Sequence, residues 1–279
     1  MLRSGLYIIA TPIGNLKDIS ERAKEVLKKV STVACEDTRV AKKLFSLLGI
    51  SLQKRFICYE DHNEDDKAQM LTDMMEEGEA MALISDAGSP LISDPGYKLV
   101  NRCRERGIYV TAIPGACAVI TALQLSGLPT NRFMFAGFIP NKEKARKDLF
   151  DELKGLNSTL VFYETAPRLL KSLEQAAASF GNRQIAVARE LTKMYEEVTN
   201  GTANELMEYF AANEPRGEFV LMVEPPAETL PSLENIRELL AARLRETSLK
   251  TAVKEFTQNY NLNKNDVYAL ALELKNEQL

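Results

Sequence analysis

The sequence predicts two α/β domains followed by a C-terminal helical lobe of helix-turn-helix-like spacing. Three observations predict it. Short apolar runs that read as buried strands alternate with amphipathic helical stretches through the first part of the chain, the pattern of a mainly parallel sheet covered by helices. The turn cluster Ser126-Gly-Leu-Pro-Thr-Asn131 opens a second α/β part of different texture. The Pro-rich stretch Glu224-Pro-Pro-Ala-Glu-Thr-Leu-Pro231, poor at continuing a helix or a strand, precedes three helical stretches. The expected domains are residues 1–119, 120–226 and 227–279.

Each element has a local reason. Leu6-Tyr-Ile-Ile-Ala10, Thr32-Val-Ala-Cys35, Phe56-Ile-Cys-Tyr59, Met81–Ile84 and Ile108–Ile113 read as strands. Between them, Ile19, Ala23, Val26, Leu27 and Val30 fall on one helical face, with Asp18 and Glu21 at capping-box spacing. Further helices are expected over residues 40–48, 63–77 and 97–106, and around Ile120, Leu123 and Leu125. In the second part, Phe133–Phe138, Thr159–Tyr163, Ile185–Ala188 and Phe219–Val223 read as strands of a mixed sheet, and Glu197–Gly201 as a hairpin edge. Helices fill 142–154, 166–179 and 203–212. The lobe reads as helices over 232–245, 249–260 and 264–277, with Asn263 and Asp266 able to cap the last. A small helical lobe that only docks on the body or on a partner chain is favoured over a helix-turn-helix role.

The bulk numbers exclude several classes. A chain of 279 residues, 45% hydrophobic and 27% charged, is an ordinary globular protein with material for two cores. No apolar run approaches the roughly 20 residues that span a bilayer. Met1-Leu-Arg-Ser-Gly-Leu-Tyr7 runs directly into a strand without signal-peptide architecture, so a cytoplasmic protein without membrane contact is expected. Cys35, Cys58, Cys103 and Cys117 are widely spaced, with no C-x-x-C pair, and support neither a disulfide framework nor a zinc site. His62 is the sole histidine, so a two-histidine metal site within one chain is excluded and no metal is expected. The net charge of −4 confines any nucleic-acid site to a local basic patch.

The segment Ile84-Ser-Asp-Ala-Gly-Ser-Pro-Leu-Ile-Ser-Asp-Pro-Gly96 is the first candidate for a binding site. Turn formers packed this densely after a buried strand make a shaped loop, and ligands of open α/β sheets sit at the carboxyl ends of strands. A plain turn, with Asp94 or Ser93 capping the helix near Tyr97, accounts for Asp94-Pro95-Gly96 but not for Asp86–Pro90. Four other strand ends are similarly equipped: Thr11-Pro-Ile-Gly-Asn-Leu-Lys-Asp18, Cys35-Glu-Asp-Thr-Arg39, Tyr59-Glu-Asp-His-Asn63 and Pro114-Gly-Ala116. As capping residues, Asp37 or Thr38 and Asn63 explain part of these loops. Neither a dinucleotide fingerprint nor a Walker A sequence is present.

Thr11-Pro-Ile-Gly-Asn-Leu, Glu36-Asp-Thr-Arg39, Ser85-Asp-Ala-Gly with Ile92-Ser-Asp-Pro-Gly96, Ile113-Pro-Gly-Ala116 and Arg189-Glu-Leu-Thr-Lys193 together resemble the tetrapyrrole methylase superfamily, over about residues 5 to 225. The chain is most similar to the branch that methylates a cytidine 2′-hydroxyl in the 16S ribosomal RNA of the small ribosomal subunit, which also appends a helical domain. The resemblance implies a class III methyltransferase fold with S-adenosylmethionine in the cleft between the two α/β domains, and a homodimer. Carried over, the cofactor contacts are Ile13, Asp86, Ser89, Ala116 and Cys117, with Tyr163, Arg189 and Leu221 from the second domain. Cys117 stands where the family often has serine.

Methylating a ribose hydroxyl needs alignment and a base for its proton. Glu36, His62, Glu190 and Lys193 are the candidates, Glu36 first because Arg39 can orient it. Lys193 is also suited to a phosphate. RNA contacts are expected from Lys142-Glu-Lys-Ala-Arg-Lys147, where four positive charges less one negative give +3, from Lys42, Lys43, Lys54 and Arg55, and from Arg102, Arg104 and Arg106. Such runs also serve as plain solvated helix faces. Methylation of a tetrapyrrole or a protein side chain, and nucleotide-sensing RNA binding without chemistry, are the competing readings.

Overall fold

The computed structural model describes residues 2–60, 64–227, 233–260 and 262–276. His62 and Asn63, expected as a base and a cap, lie outside the described residues, as does Asn261. Two compact units are present, Met1–Pro225 and Pro226–Leu279.

The first unit opens with strands β1 (Gly5–Ile9), β2 (Thr32–Cys35), β3 (Arg55–Cys58), β4 (Ala80–Ile84) and β5 (Val110–Ile113). They form a five-stranded sheet in the order β3-β2-β4-β1-β5, every pair parallel. Helices α1 (Glu21–Lys29), α2 (Thr38–Leu47), α3 (Glu64–Glu76) and α4 (Tyr97–Glu105) make the crossovers. Both faces are covered, which is why these strands read as continuous apolar runs rather than alternating ones. On β4, Ala82 and Ile84 join one core with Tyr7 and Val33, while Met81 and Leu83 join the other with Leu6 and Leu71.

Helix α5 (Ala118–Ser126) follows, then β6 (Phe133–Phe138), α6 (Glu143–Leu153), β7 (Thr159–Thr165), α7 (Leu169–Phe180), β8 (Ile185–Arg189), β9 (Glu197–Gly201), α8 (Ala203–Ala212) and β10 (Glu218–Val223). Their sheet runs β6-β7-β10-β8-β9, parallel only between β6 and β7. One face packs Phe162, Val187, Phe219 and Leu221 against α6, α7 and α8. The other packs Val161, Ala188, Val220 and Met222 against Val119, Ala122 and Leu123 of α5.

The second unit holds α9 (Leu233–Glu246), α10 (Leu249–Asn259) and α11 (Lys264–Asn276). Ile236, Leu240, Val253, Phe256, Val267 and Leu274 are among its core. Asn263 accepts from the Asn265 backbone N–H at 2.8 Å at the start of α11, as expected. Arg243 of α9 grips Glu255 of α10 at 2.8 Å. No helix among the described residues is long and apolar enough to cross a membrane.

Two caps differ from expectation. Ser20, not Asp18, caps α1, accepting from Ala23 N–H at 3.1 Å. Neither Asp94 nor Ser93 caps α4. Its first turn is held by the buried carboxylate of Glu64, which accepts from Gly96 N–H at 2.9 Å and Lys98 N–H at 3.3 Å. A carboxylate is favoured there because unpaired amide N–H groups gather at a helix N-terminus. Glu64→Ala strands the buried Gly96 N–H. It is expected to lower unfolding stability in urea by about 1–3 kcal/mol, with Glu64→Gln losing less.

Candidate active site

Because the first sheet is wholly parallel, the segments after β1, β2, β4 and β5 gather at one edge. The 84–96 segment is tied to the other three. Thr11 N–H donates to Gly88 O at 2.8 Å and Gly88 N–H to Thr11 O at 3.1 Å, an isolated antiparallel bridge. Asp37 N–H donates to Asp86 Oδ1 at 3.1 Å, and Ser89 Oγ to Ala116 O at 3.1 Å. From the second sheet, the loop after β8 meets the first loop: Asn15 N–H donates to Thr192 Oγ1 at 3.0 Å. A Cβ on Gly14 would lie 2.7 Å from Leu191 O, so only glycine allows this approach.

These loops enclose a cavity of about 490 Å³, within the size range of small-ligand sites. Ile13, Glu36, Asp86, Ser89, Cys117, Tyr163, Glu190 and Lys193, all expected at the site, line it. Ala116 is tied to it through the carbonyl that Ser89 holds. Two expected contacts stand apart from its wall. Leu221 sits in the core on the other sheet face with Phe162 and Val187, and its neighbour Val220 lines the cavity instead. Arg189 pairs with Glu197 of β9. Arg39, expected to orient Glu36, is engaged through Nε and Nη2 by Asp37, the N-cap of α2. Sequence reasoning missed Phe138, Glu164, Gly217 and Glu218. A glutamate closing the apolar run Leu160–Tyr163 was the available signal. It also gave Asp94 only a turning role, whereas Asp94 and Ser93 line the cavity.

Three features set the cavity apart. Its walls are acidic: Glu36, Asp86, Asp94, Glu190 and Glu218 line it with one basic side chain, Lys193, whose Nζ lies 2.9 Å from Glu190 Oε1, while the carboxylate of Glu164 is taken up by Arg168. Such a wall favours a cationic ligand. The non-glycine residues with positive φ among those described are Leu91, Ser93, Glu190 and Thr192, all in the two loops that face each other across it. Left-handed backbone costs about 1–3 kcal/mol per residue and persists at functional sites. Finally, partial desolvation raises the carboxyl pKa of the exposed Asp86, offset in part by the Asp37 N–H bond, and burial pushes the Tyr163 phenol up. By contrast, the half-buried Asp37 is held at about 2 by the Arg39 guanidinium.

The basic runs are largely engaged. Lys54 donates to Lys28 O and Val30 O, Arg106 pairs with Asp73 at 2.6 Å and Glu76 at 3.2 Å, and Arg102 donates to Asp65 O and Gln69. Arg146 is buried and donates to Asn141 O, leaving Lys142, Lys144 and Lys147 exposed around α6. Among the described residues no group of three His, Cys, Asp or Glu side chains could hold a metal ion.

The raised Asp86 pKa has a stability consequence. The folded state binds this proton better than the unfolded chain, so ionised Asp86 weakens the fold at neutral pH. That penalty fades as the pH falls through the raised value and is gone below the ordinary 3.8. Asp86→Asn keeps an acceptor for Asp37 N–H. It is expected to melt at the same or a higher temperature than wild type at pH 7, with the difference vanishing in acid, as thermal scans across pH will read.

Residues 5–207 match the Tetrapyrrole (Corrin/Porphyrin) Methylases and residues 231–275 the RsmI C-terminal HTH domain. The chain is 45% identical over 276 residues to the Ribosomal RNA small subunit methyltransferase I of Haemophilus influenzae, covering 96% of each chain. It is 48% identical over 274 residues to that of Erythrobacter litoralis, covering 98% of this chain and 96% of the relative. Solved structures share the fold. The methyltransferase CobJ aligns with a TM-score of 0.61 at 15% identity over 80% of this chain and 95% of its own. A diphthine synthase aligns with 0.60 at 14% over 84% and 94%. With its cavity loops and its helical lobe both inside the matched regions, the chain belongs to the tetrapyrrole methylase family and, over nearly its whole length, to the ribosomal RNA small subunit methyltransferases I.

Proposed function

We propose that this enzyme transfers a methyl group from S-adenosylmethionine to the 2′-hydroxyl of a cytidine in 16S ribosomal RNA. The near-full-length likeness to relatives named for methylating small-subunit ribosomal RNA carries the reading. The cavity supports the donor. Its acidic lining suits a molecule bearing a sulfonium and an ammonium. Gly88 lines the cavity with φ of 83°, and a Cβ there would lie 3.3 Å from Ile13 Cγ2, so the wall carries no side chain at a point where a flat group can lie. Ile13, Ala118 and Val220 give it apolar walls. Bound there, S-adenosylmethionine supplies an electrophilic methyl whose departure discharges the sulfonium.

The chain's own residues do the rest. Glu36 accepts the ribose hydroxyl proton, the task that makes a weak nucleophile competent. Lys193, held by Glu190, offers an ammonium to a phosphate of the same nucleotide. The division into α/β domains 1–119 and 120–226 serves to bring loops from two sheets onto one donor. A homodimer is part of the proposal, supported by edge strand β6, which leaves Phe133, Met134 and Phe138 exposed, a pairing surface of the kind monomers usually blunt. Cytoplasmic residence follows from the substrate.

Labelled methyl should pass from the donor to small ribosomal subunits in preference to tetrapyrrole precursors or protein. Glu36→Gln should cut kcat by about 10²–10⁴-fold with donor and RNA binding intact. Near-normal turnover in that variant would remove Glu36 from the role.

A further inference from the structure

The carboxylate-lined cavity creates a problem for a polyanionic substrate. Phosphates are repelled by Glu36, Asp86, Asp94, Glu190 and Glu218, and Lys193 alone among the wall residues attracts them. A contact indifferent to charge is therefore needed to seat a nucleotide, and an aromatic face that stacks on an unpaired base is one. The loop after β8 carries such a face. Met194 is 89% and Tyr195 76% exposed, more than any other large hydrophobic residue described. Neither packs in a core.

Their exposure is built, not loose. Glu196 N–H donates to Lys193 O at 3.2 Å, closing a turn around the pair, and Thr192 N–H donates to the Glu196 carboxylate at 2.6 Å. Glu190 and Thr192 hold left-handed backbone, and Asn15 N–H pins Thr192 from the first loop. Lys193, in the same turn, lines the cavity. The turn thus holds the backbone that presents a ring and a thioether to solvent, one and two positions after the one cation of the wall.

We propose that Tyr195, flanked by Met194, is the platform on which an unstacked base of the RNA substrate stacks, holding its ribose at the mouth of the cavity while Lys193 takes the adjoining phosphate. This rests on the methyl-transfer reading. The platform fixes position, not chemistry, so its loss falls on KM and not on kcat.

The chain has no tryptophan, so Tyr195→Trp introduces a single indole that keeps the stacking face. Its emission should be quenched saturably by a short single-stranded cytidine-containing oligoribonucleotide, and far less by the same sequence in a duplex. With small ribosomal subunits as methyl acceptor, Tyr195→Ala should raise KM about 5- to 150-fold, the range for loss of one base stack. Its kcat and its binding of labelled S-adenosylmethionine should stay unchanged, and Tyr195→Phe should restore KM. An unchanged KM in Tyr195→Ala overturns the proposal. So does a change in its sedimentation coefficient, which would make the pair a contact with a second copy of the chain. Wild-type enzyme that transfers no methyl to small subunits, while the Tyr195→Trp indole is still quenched, would instead overturn the methyl-transfer reading alone.

Discussion

The two backbone hydrogen bonds between Thr11 and Gly88 tie together loops that a parallel sheet would otherwise release in the same direction. Strands β1 and β4 are neighbours running side by side, yet just beyond their ends the chain pairs antiparallel. To do so, both segments must turn sharply, and the positive φ of Gly88 is where one of them does. Thr11 is nearly fully buried, and its hydroxyl donates back to Ser85 O or Gly88 O. This clasp curls the 84–96 segment over the sheet edge. It brings Asp86 to the N-terminus of α2 and Ser89 to the carbonyl of Ala116. The wall of the cavity follows from one bridge and the contacts it makes possible.

Strain and charge then divide between the two sides. Leu91 and Ser93 hold left-handed backbone on the first sheet's side, Glu190 and Thr192 on the second's. Each loop is braced from elsewhere. Glu64 holds the exit of the first through Gly96 N–H, and Thr192 Oγ1 with the Glu196 carboxylate fixes the second. The raised pKa of Asp86 belongs to the same pattern: its carboxylate lines the cavity and not a core.

Much of this was legible in the sequence because the signals were local. Leu6–Ala10 and Met81–Ile84 are apolar on both faces, which only a doubly covered parallel strand requires. The glycines and prolines of the first, fourth and fifth loops announced shaped turns, and the family resemblance named within or beside them Ile13, Asp86, Ser89 and Cys117, which line the cavity. What escaped was set by tertiary contact. Val220 and Leu221 are equally apolar, so nothing local tells which face of β10 looks on the cavity. The carboxylate at the start of α4 comes from 32 residues earlier. Arg106 reads as free charge until Asp73 and Glu76 fold against it.

The order of strands in the second sheet also bears on how the molecule is made. Strand β10 comes last in the first unit, yet it lies in the middle, between β7 and β8. The bond from Asn15 to Thr192 joins residues 177 positions apart. Contacts that distant form late, after the entropy of closing large loops has been met. A chain emerging from the ribosome can assemble its parallel sheet early, but the second sheet lacks its central strand until residue 223 has been added. A chain that has not yet reached β10 therefore lacks Gly217, Glu218, Phe219 and Val220 from the cavity wall.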